Sequence, residues 1–317
     1  MTAVMRLPPL PTLREIIRLY GLRAEKHLSQ NFLMDLKLTN KFVKQAGKLE
    51  GHHVCEVGPG PGAITRSILQ AGVQNLVVVE KDKRFKESLQ MLAEASNGTL
   101  SVVLDDILRF QFENHFPKEI LREWQDDCPN LHLIGNLPFN VSTPLIMQWL
   151  EAVSNRTGPF SFGRTRMLLT FQKEVAERLV APANDVQRSR PSIMAQYLCS
   201  VKHCYDIPGA ACVPKPKVDI GVVHLVPLKQ PLINLPFKLV DKVVRSVFHF
   251  RQKYCRRGVE ILFPAGRDDL VAEMFQVTVI DPTTKPYNLT MDDFKSLCWA
   301  YHDICERIPG LIDYDYR

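Results

Sequence analysis

The stretch that decides the fold is EVGPGPGAITRSILQAG, at residues 56–72. It begins at the end of a short apolar segment, residues 54–57, and runs into TRSILQAG, which has helical periodicity. Gly58, Gly60 and Gly62 therefore lie between a predicted strand and a predicted helix, which is the context of a nucleotide-binding turn. The stretch predicts an α/β sheet with a ligand at the carboxyl end of its first strand.

Two prolines in this loop restrict the kind of nucleotide that it can hold. Phosphate-binding loops direct backbone N–H groups at the anion, and Pro59 and Pro61 have no such group. The spacing is also GxGxG, whereas dinucleotide enzymes carry GxGxxG. We therefore expect a cofactor that contains a nucleoside but no phosphate.

Acidic residues end the next two predicted strands. Glu80 ends NLVVVE (75–80), 22 residues beyond Gly58, where an acid would bind a ribose diol. Asp106 ends LSVVLDD (100–106) and could accept a hydrogen bond from an adenine amine. Either acid alone would be an ordinary solvated carboxylate. Together with the glycine loop that precedes them, the two acids predict an adenosine site. S-adenosylmethionine is the phosphate-free cofactor that fits such a site.

The rest of the chain predicts a two-domain architecture. HLIG (132–135) and MLLTF (167–171) are further apolar strands, and continuous apolar strands separated by helices indicate a parallel sheet covered on both faces. VKHCYDI (201–207) and VDIGVVHLV (218–226) predict an antiparallel pair that closes one edge. We predict a Rossmann-like S-adenosylmethionine-dependent methyltransferase domain over residues 1–228 and a small all-helical domain over 229–317.

Composition narrows the class of protein. At 45% apolar and 23% charged residues the chain is typical of globular proteins, and no run reaches the roughly 18 apolar residues of a membrane helix. Eight cysteines without a CxxC pair predict free thiols and no metal site. The net charge of +6 fits either a solvated basic surface or a polyanionic partner.

The N-terminus has two interpretations. MTAVMRLPPLPTLREIIRLYGLR (1–23) is rich in arginine and poor in acid, which is typical of a mitochondrial presequence. Thr12 and Glu15 also form a capping box ahead of an apolar face, which predicts a short helix packed on the body of the protein. Both interpretations can hold together.

The segment NLPF, residues 136–139, follows the fourth strand beside the expected methyl donor. The Asn136 carboxamide oxygen, together with the carbonyl of Leu137 or Pro138, could accept both hydrogens of an exocyclic base amine. That would direct the nitrogen lone pair at the methyl group. Phe139 would stack on the base, and such stacking stabilises binding by about 1–3 kcal/mol. The base must leave its own stack in the RNA to enter the site. The alternative is a hydrophobic turn.

Several ordered motifs resemble the rRNA adenine N6,N6-dimethyltransferase family, and the start of the chain is most similar to its mitochondrial members. The resemblance covers about residues 13–228. Its motifs are HLSQNFLMD (27–35), EVGPGPGAIT (56–65), VVEKD (78–82), LDDIL (104–108), IGNLPFNVSTPLI (134–146), FQKEVAERL (171–179), RSRPSIMAQY (188–197) and VPKPKVD (213–219).

The resemblance implies dimethylation of two adjacent adenosines in the 3′-terminal stem-loop of small-subunit rRNA, in the mitochondrial matrix. It implies the small-subunit precursor as partner and a role in small-subunit assembly. The target base would be held by Asn136, Leu137, Pro138 and Phe139. The implied cofactor site comprises Gln30, Asn31, Leu33, Gly58, Gly60, Glu80, Lys81, Asp106, Ile107 and Asn136. Cys212 departs from the family, which usually has phenylalanine there as a second wall for the base.

Basic residues outside these motifs are candidates for RNA binding. HFRQKYCRRG (249–258) places four basic residues beside two aromatics, and on one helix they would form a basic face. The alternative is a solvated surface. The candidates are Arg251, Lys253, Arg256 and Arg257, together with Arg188, Arg190, Lys215 and Lys217.

Two rival functions remain open from the sequence. One is a non-catalytic factor of the mitochondrial transcription machinery that keeps the fold as a scaffold. The other is a small-molecule methyltransferase, whose expected apolar lid we do not find in the sequence. The intact NLPF segment argues against the scaffold.

Overall fold

The computed structural model describes Glu15, Arg18 and residues 31–316. The described residues fall into two compact units. Gln30, Thr12 of the capping box and most of the presequence stretch lie outside the described residues. Glu15 and Arg18 are helical and exposed.

A seven-stranded sheet organises the first unit, and a separate two-stranded ladder accompanies it. The order in the large sheet is β4-β3-β2-β5-β6-β9-β7, and β1 pairs with β8. The strands are β1 (Phe32–Leu33), β2 (His53–Val57), β3 (Asn75–Val79), β4 (Leu100–Val103), β5 (Leu131–Gly135), β6 (Arg166–Gln172), β7 (Cys199–Ile207), β8 (Cys212–Val213) and β9 (Ile220–Pro227).

The strand directions confirm the predicted sheet. Strands β2 to β6 pair in parallel, and β9 runs antiparallel to β6. The chain builds β2, β3 and β4 outward in one direction and then returns to place β5 on the other side of β2. This reversal makes the β2/β5 boundary a topological switch point, where ligands of open α/β sheets bind.

The helices alternate with the parallel strands and then fill the C-terminal part. Helix α2 begins directly after the glycine loop, as predicted. The helices are α1 (Leu36–Lys44), α2 (Ala63–Gln70), α3 (Lys86–Ala95), α4 (Phe139–Asn155), α5 (Lys173–Val180), α6 (Arg190–Gln196), α7 (Phe237–His249), α8 (Cys255–Glu260), α9 (Asp268–Thr278) and α10 (Met291–Arg307).

The core of the first unit lies on the central strands. All five residues of β2 and all five of β5 are buried. A strand covered on both faces has no solvent side, so its apolar run is continuous and does not alternate. Each fully buried Val, Leu or Ile side chain contributes about 1.5–3 kcal/mol, so the apolar residues of these strands contribute to the unit's stability.

The connection between β4 and β5 differs from the predicted alternation, because residues 104–130 contain turns of 3₁₀ helix and no α-helix. Aromatic side chains take over its packing. Phe110 and Phe112 meet edge to face with ring centroids 4.8 Å apart, and Phe116 meets Phe162 at 6.3 Å. A packed aromatic segment thus replaces the crossover helix.

The second unit is discontinuous, whereas the sequence suggested one boundary at residue 228. It comprises Val153–Asn155, Glu177–Val201 and residues 228–316, while the first comprises 31–152, Arg156–Ala176 and Lys202–Pro227. Within the second unit the Arg190 guanidinium of α6 forms a bidentate ion pair with the Asp241 carboxylate of α7. Described residues after 228 form helices and turns but no strand.

The predicted continuous basic helix around residues 249–258 is wrong. Helix α7 ends at His249, and α8 begins only at Cys255. A Cβ on Gly258 would lie 2.5 Å from the Cα of Val247, so α8 packs directly on the backbone of α7. The chain must turn back between the two helices to reach that position, and this interrupts the helix.

All eight cysteines are free thiols, as predicted. Among the described residues, no helix is long and apolar enough to cross a membrane. The same part of the chain contains no group of three or more His, Cys, Asp or Glu side chains suited to a metal ion.

Candidate active site

Four of the predicted site residues meet at one edge of the sheet. Asp106, Glu80, Gly58 and Asn136 follow the carboxyl ends of β4, β3, β2 and β5 respectively. These strands are neighbours in that order, so the residues form a row across the switch point.

The glycine loop uses its backbone donors internally. Pro59 and Pro61 have no N–H, so residues 58–62 hold only three such groups. Each donates within the fold: Gly58 to Val79 O at 3.0 Å, Gly60 to Glu80 Oε2 at 2.9 Å and Gly62 to Pro59 O at 3.0 Å. A phosphate would find no free donor on these five residues, which fits a phosphate-free nucleoside cofactor such as S-adenosylmethionine.

Glu80 is held rigidly at the end of β3. Its two carboxylate oxygens accept from the backbone N–H groups of Gly60 (2.9 Å) and Asp82 (2.8 Å), and the residue is only 4% exposed. Burial raises the pKa of this carboxyl group, and hydrogen bonds from the backbone N–H groups of Asp82, Gly60 and Lys81 oppose the shift. A carboxylate offers about four acceptor positions, so Glu80 can still accept a hydrogen bond from a ribose hydroxyl.

Asp106 forms an ion pair with Lys81 at 2.8 Å, and both had been placed near the cofactor's adenine. The hydrogen bond from Lys81 holds the pKa of Asp106 below its usual value, so the carboxylate stays an acceptor at neutral pH. Its other oxygen accepts from the Leu108 N–H at 3.1 Å. Ile107, the next residue, is half-buried.

Residues 31–33, of which the last two form strand β1, contribute through the backbone and through one ring. The carbonyl of Asn31 accepts the Asn136 side-chain N–H at 2.7 Å. Phe32 covers Gly60 so closely that a Cβ there would lie 2.5 Å from its ring. Leu33 is 2% exposed in the core, so its side chain does not line a cofactor site and only its backbone remains a candidate contact.

The Asn136 carboxamide is anchored at both ends. Its Nδ2 donates to the Asn31 carbonyl at 2.7 Å, and its Oδ1 accepts from the Thr170 hydroxyl at 2.7 Å. The oxygen retains a second lone pair. Thr170, fully buried on β6, is a residue that the sequence analysis missed. The only local signal was a single hydroxyl within the apolar run MLLTF.

The structure distinguishes between the two carbonyls proposed to face the target amine. The carbonyl of Pro138 already accepts the N–H groups of Val141 (3.1 Å) and Ser142 (3.0 Å), because it begins helix α4. Leu137 is therefore the better candidate. Phe139 is half-buried at the start of the same helix and packs against the core of the first unit.

Cys212 does not face a binding surface. It is 2% exposed, belongs to the core of the first unit, and pairs with Leu33 across the β1–β8 ladder. Burial raises the pKa of its thiol to about 11. The expectation that a phenylalanine here would restore a wall around the base is not supported, because the side chain points into filled space.

The candidate basic residues differ in how available they are. Arg188 is 2% exposed, and its guanidinium donates to the Ala181 carbonyl at 2.7 Å. Because its guanidinium is buried and bonded to a backbone carbonyl, Arg188 has a structural role and is not a candidate for RNA binding. Arg190 is occupied by Asp241. Lys215 and Lys217 are exposed in the first unit.

The segment at 250–260 of the second unit has a net positive charge. Arg256 and Arg257 both pair with Glu260, at 2.9 and 3.1 Å, and their side chains remain 54% and 69% exposed. Arg251 is half-buried and Lys253 exposed. The segment therefore carries four basic side chains and one carboxylate, and that carboxylate pairs with two of them.

Comparisons with known proteins point to one family. Residues 21–297 match the family described as ribosomal RNA adenine dimethylase. The chain is 60% identical to dimethyladenosine transferase 1, mitochondrial, of Xenopus laevis, over 99% of this chain and 92% of that protein. It is 58% identical to the human protein of that name, over 98% of this chain and 90% of that protein.

A solved structure agrees on the fold. The crystal structure of a dimethyladenosine transferase from Plasmodium falciparum superposes with a TM-score of 0.65 at 21% identity. The match covers 86% of this chain and 98% of that one.

Proposed function

Because the chain belongs to the ribosomal RNA adenine dimethylase family, we propose that it dimethylates two adjacent adenosines in the 3′-terminal stem-loop of mitochondrial small-subunit rRNA. It is an rRNA adenine dimethyltransferase, and its cofactor is S-adenosylmethionine. Its location is mitochondrial, since its near full-length relatives are mitochondrial proteins. The matrix, the precursor of the small ribosomal subunit and a part in its assembly belong to the proposal.

The observation that carries the proposal is the doubly anchored Asn136 amide at the switch point. When bound, S-adenosylmethionine supplies a methyl group on a positively charged sulfur. Glu80 would hold the ribose, Asp106 with Lys81 and Ile107 would hold the adenine, and the glycine loop would meet the methionine end. The bonding of residues 58–62 supports this assignment, since it excludes a phosphate as the ligand of the loop.

Asn136 would act on the target base. An exocyclic adenine amine is a poor nucleophile because its lone pair is delocalised into the ring. The free lone pair of Asn136 Oδ1 and the Leu137 carbonyl would each accept one amine hydrogen, and Phe139 would stack on the base. Together they would turn the nitrogen lone pair out of conjugation and toward the methyl group.

The exposed basic residues would bind phosphates without reading bases. The segment at 250–260 and the pair Lys215 and Lys217 are the parts of this set that remain exposed. Contacts of this kind position an RNA and make its affinity dependent on salt. The second unit, in this proposal, is an RNA-binding domain.

The test is mass spectrometry of adenosine after incubation of the protein with S-adenosylmethionine and an rRNA hairpin of the 3′-terminal sequence. We expect N6,N6-dimethyladenosine at two adjacent positions. A hairpin that binds but stays unmethylated would favour the transcription-scaffold alternative. Methyl transfer that proceeds equally well without RNA would favour a small-molecule substrate. Calorimetry with NAD as the competing ligand tests the cofactor assignment separately.

A further inference from the structure

The buried hydroxyl of Thr170 has one partner in the site. Thr170 lies on β6, pairs in register with Val222 of β9, and has no exposed surface. Its Oγ1 donates to Asn136 Oδ1 at 2.7 Å, from a different strand and 34 residues further along the chain. The bond therefore links two neighbouring elements of the sheet at the candidate methyl-transfer position.

This bond and one other determine which way the Asn136 amide faces. The Asn31 carbonyl can only accept a hydrogen bond, so the NH₂ group of Asn136 must face it. The Thr170 hydroxyl can donate, and its donation places the amide oxygen on the opposite side. A flipped amide would set two oxygens against each other at Asn31, so the observed orientation is the one that satisfies both contacts.

We infer that Thr170 is a positioning residue for methyl transfer. It holds the Asn136 carboxamide oxygen in the direction from which that oxygen accepts a hydrogen of the target amine. This inference rests on the proposed role of Asn136. The hydroxyl occupies one lone pair of the oxygen and restricts the amide's rotation, while the second lone pair stays open for the substrate.

A purely structural role predicts different behaviour, and Thr165 provides the matched comparison. Thr165 is also fully buried in the first unit, and its hydroxyl donates to the Pro159 carbonyl over the same 2.7 Å. It precedes β6, at the opposite end of the strand from Asn136. Removing either hydroxyl deletes one buried hydrogen bond, but only Thr170 contacts the amide.

The experiment compares Thr170→Val, Thr170→Ser and Thr165→Val in the full chain. Thr170→Val should lower kcat on the rRNA hairpin by about tenfold, with little change in the KM for S-adenosylmethionine or in RNA affinity. Thr170→Ser keeps the hydroxyl and should restore kcat to near the wild-type value. Thr165→Val should lose comparable stability while kcat stays near wild type.

Two further readouts separate positioning from folding. After one methyl group has been added, the amine has a single hydrogen left, and one acceptor alone must then direct it. The second transfer should therefore depend more on the position of the Asn136 oxygen, and Thr170→Val should raise the ratio of monomethyl to dimethyl product. In the cofactor-free protein, the side-chain NH₂ signals of Asn136 in a ¹⁵N spectrum should broaden or shift in Thr170→Val. They should stay unchanged in Thr165→Val.

The outcomes are distinguishable. Normal kcat, product ratio and Asn136 signals in a folded Thr170→Val protein would overturn the inference, and so would equal losses of kcat in Thr165→Val. If Asn136→Ala is inactive while Thr170→Val is normal, the proposed function stands and only this inference fails. If the wild-type protein does not methylate the hairpin, the proposed function itself has failed.

Discussion

At the scale of single residues, the site depends on an amide whose two ends are held by two different parts of the chain. Asn136 is anchored to the Asn31 backbone and to Thr170, so it arrives at the target amine already oriented. Preorganisation of this kind lowers the barrier, because no reorientation is needed when the substrate binds.

Replacing Asn136 with alanine should therefore abolish most methyl transfer. The loss of a contact worth about 3–4 kcal/mol in the transition state corresponds to a fall in kcat of some hundredfold or more. Cofactor affinity, measured by calorimetry, should be nearly intact. Asn130→Ala, an exposed change just before the same strand, is the control. Near-normal turnover in Asn136→Ala would mean that the NLPF segment is structural.

At the scale of elements, the glycine loop and β1 are fitted to each other. Gly60 has a φ of +54°, and a Cβ on it would lie 2.5 Å from Phe32 Cε1. Phe32 in turn packs edge to face on Phe85 with ring centroids 5.3 Å apart. The ring can withdraw only by disturbing the aromatic pair, so the loop tolerates no side chain at this position.

Gly60→Ala should accordingly destabilise the protein by more than the left-handed backbone alone explains. That strain costs about 1–2 kcal/mol, and the clash adds to it. Gly98→Ala is the comparison, since Gly98 has a φ of +83° and open space around its Cβ. Chemical denaturation of both variants measures the difference, and equal losses would show that Phe32 yields without cost.

The β1–β8 ladder leads to a revised expectation for Cys212→Phe. From the sequence, this change should have held or raised activity by restoring the family's aromatic residue. Because Cys212 is 2% exposed within the core, the larger ring should instead cost about 1–3 kcal/mol through overpacking. Denaturant titration measures the loss, and Cys212→Val should be milder. Unchanged stability in Cys212→Phe would mean that the ring finds a way out toward solvent.

At the scale of the whole molecule, stability should fall in mild acid because buried histidines cannot take up protons. Burial, with Arg166 and His52 nearby, lowers the pKa of His132 to about 3, against about 6.5 in the unfolded chain. Below pH 6.5 the unfolded state binds a proton that the folded state does not. The free energy of unfolding therefore decreases by about 1.4 kcal/mol per pH unit from this residue alone.

His132→Asn removes this titration and should flatten the dependence of unfolding free energy on pH between about 6 and 4. Some slope should remain, because burial also lowers the pKa of His52, His53 and His224. Denaturant titrations of the variant and the wild type across this range provide the measurement. Parallel curves would show that His132 becomes protonated without unfolding.

RNA affinity is the second property of the whole molecule. Replacing Arg256 and Arg257 together with alanine should weaken binding of all RNAs about equally, and should make the salt dependence shallower by up to roughly one unit per lost phosphate contact. Arg267→Ala, which removes an arginine paired with Asp269 elsewhere in the second unit, is the control. An unchanged salt slope in the double variant would identify the segment as solvated surface.

The amino-acid sequence by itself determined the features that depend on neighbouring residues and on spacing. The strand, loop and helix around EVGPGPG, the missing N–H groups of Pro59 and Pro61, and Glu80 at the end of the next strand all follow from local chemistry and from the geometry of parallel strands. The structure confirms these elements. A short, continuous apolar run that ends at a glycine and proline loop is favourable as a buried strand of a parallel sheet covered on both faces.

Only the tertiary structure decided which side chains meet. Thr170 on Asn136, Cys212 in the core, Arg188 on a buried carbonyl and the turn before α8 all involve residues that are distant in sequence or packed by a neighbouring element. The identity of a threonine, cysteine or arginine in the sequence does not show whether its side chain faces solvent or a partner. Its partner is selected by the packing of whole strands and helices, because burial makes an unpaired polar group costly.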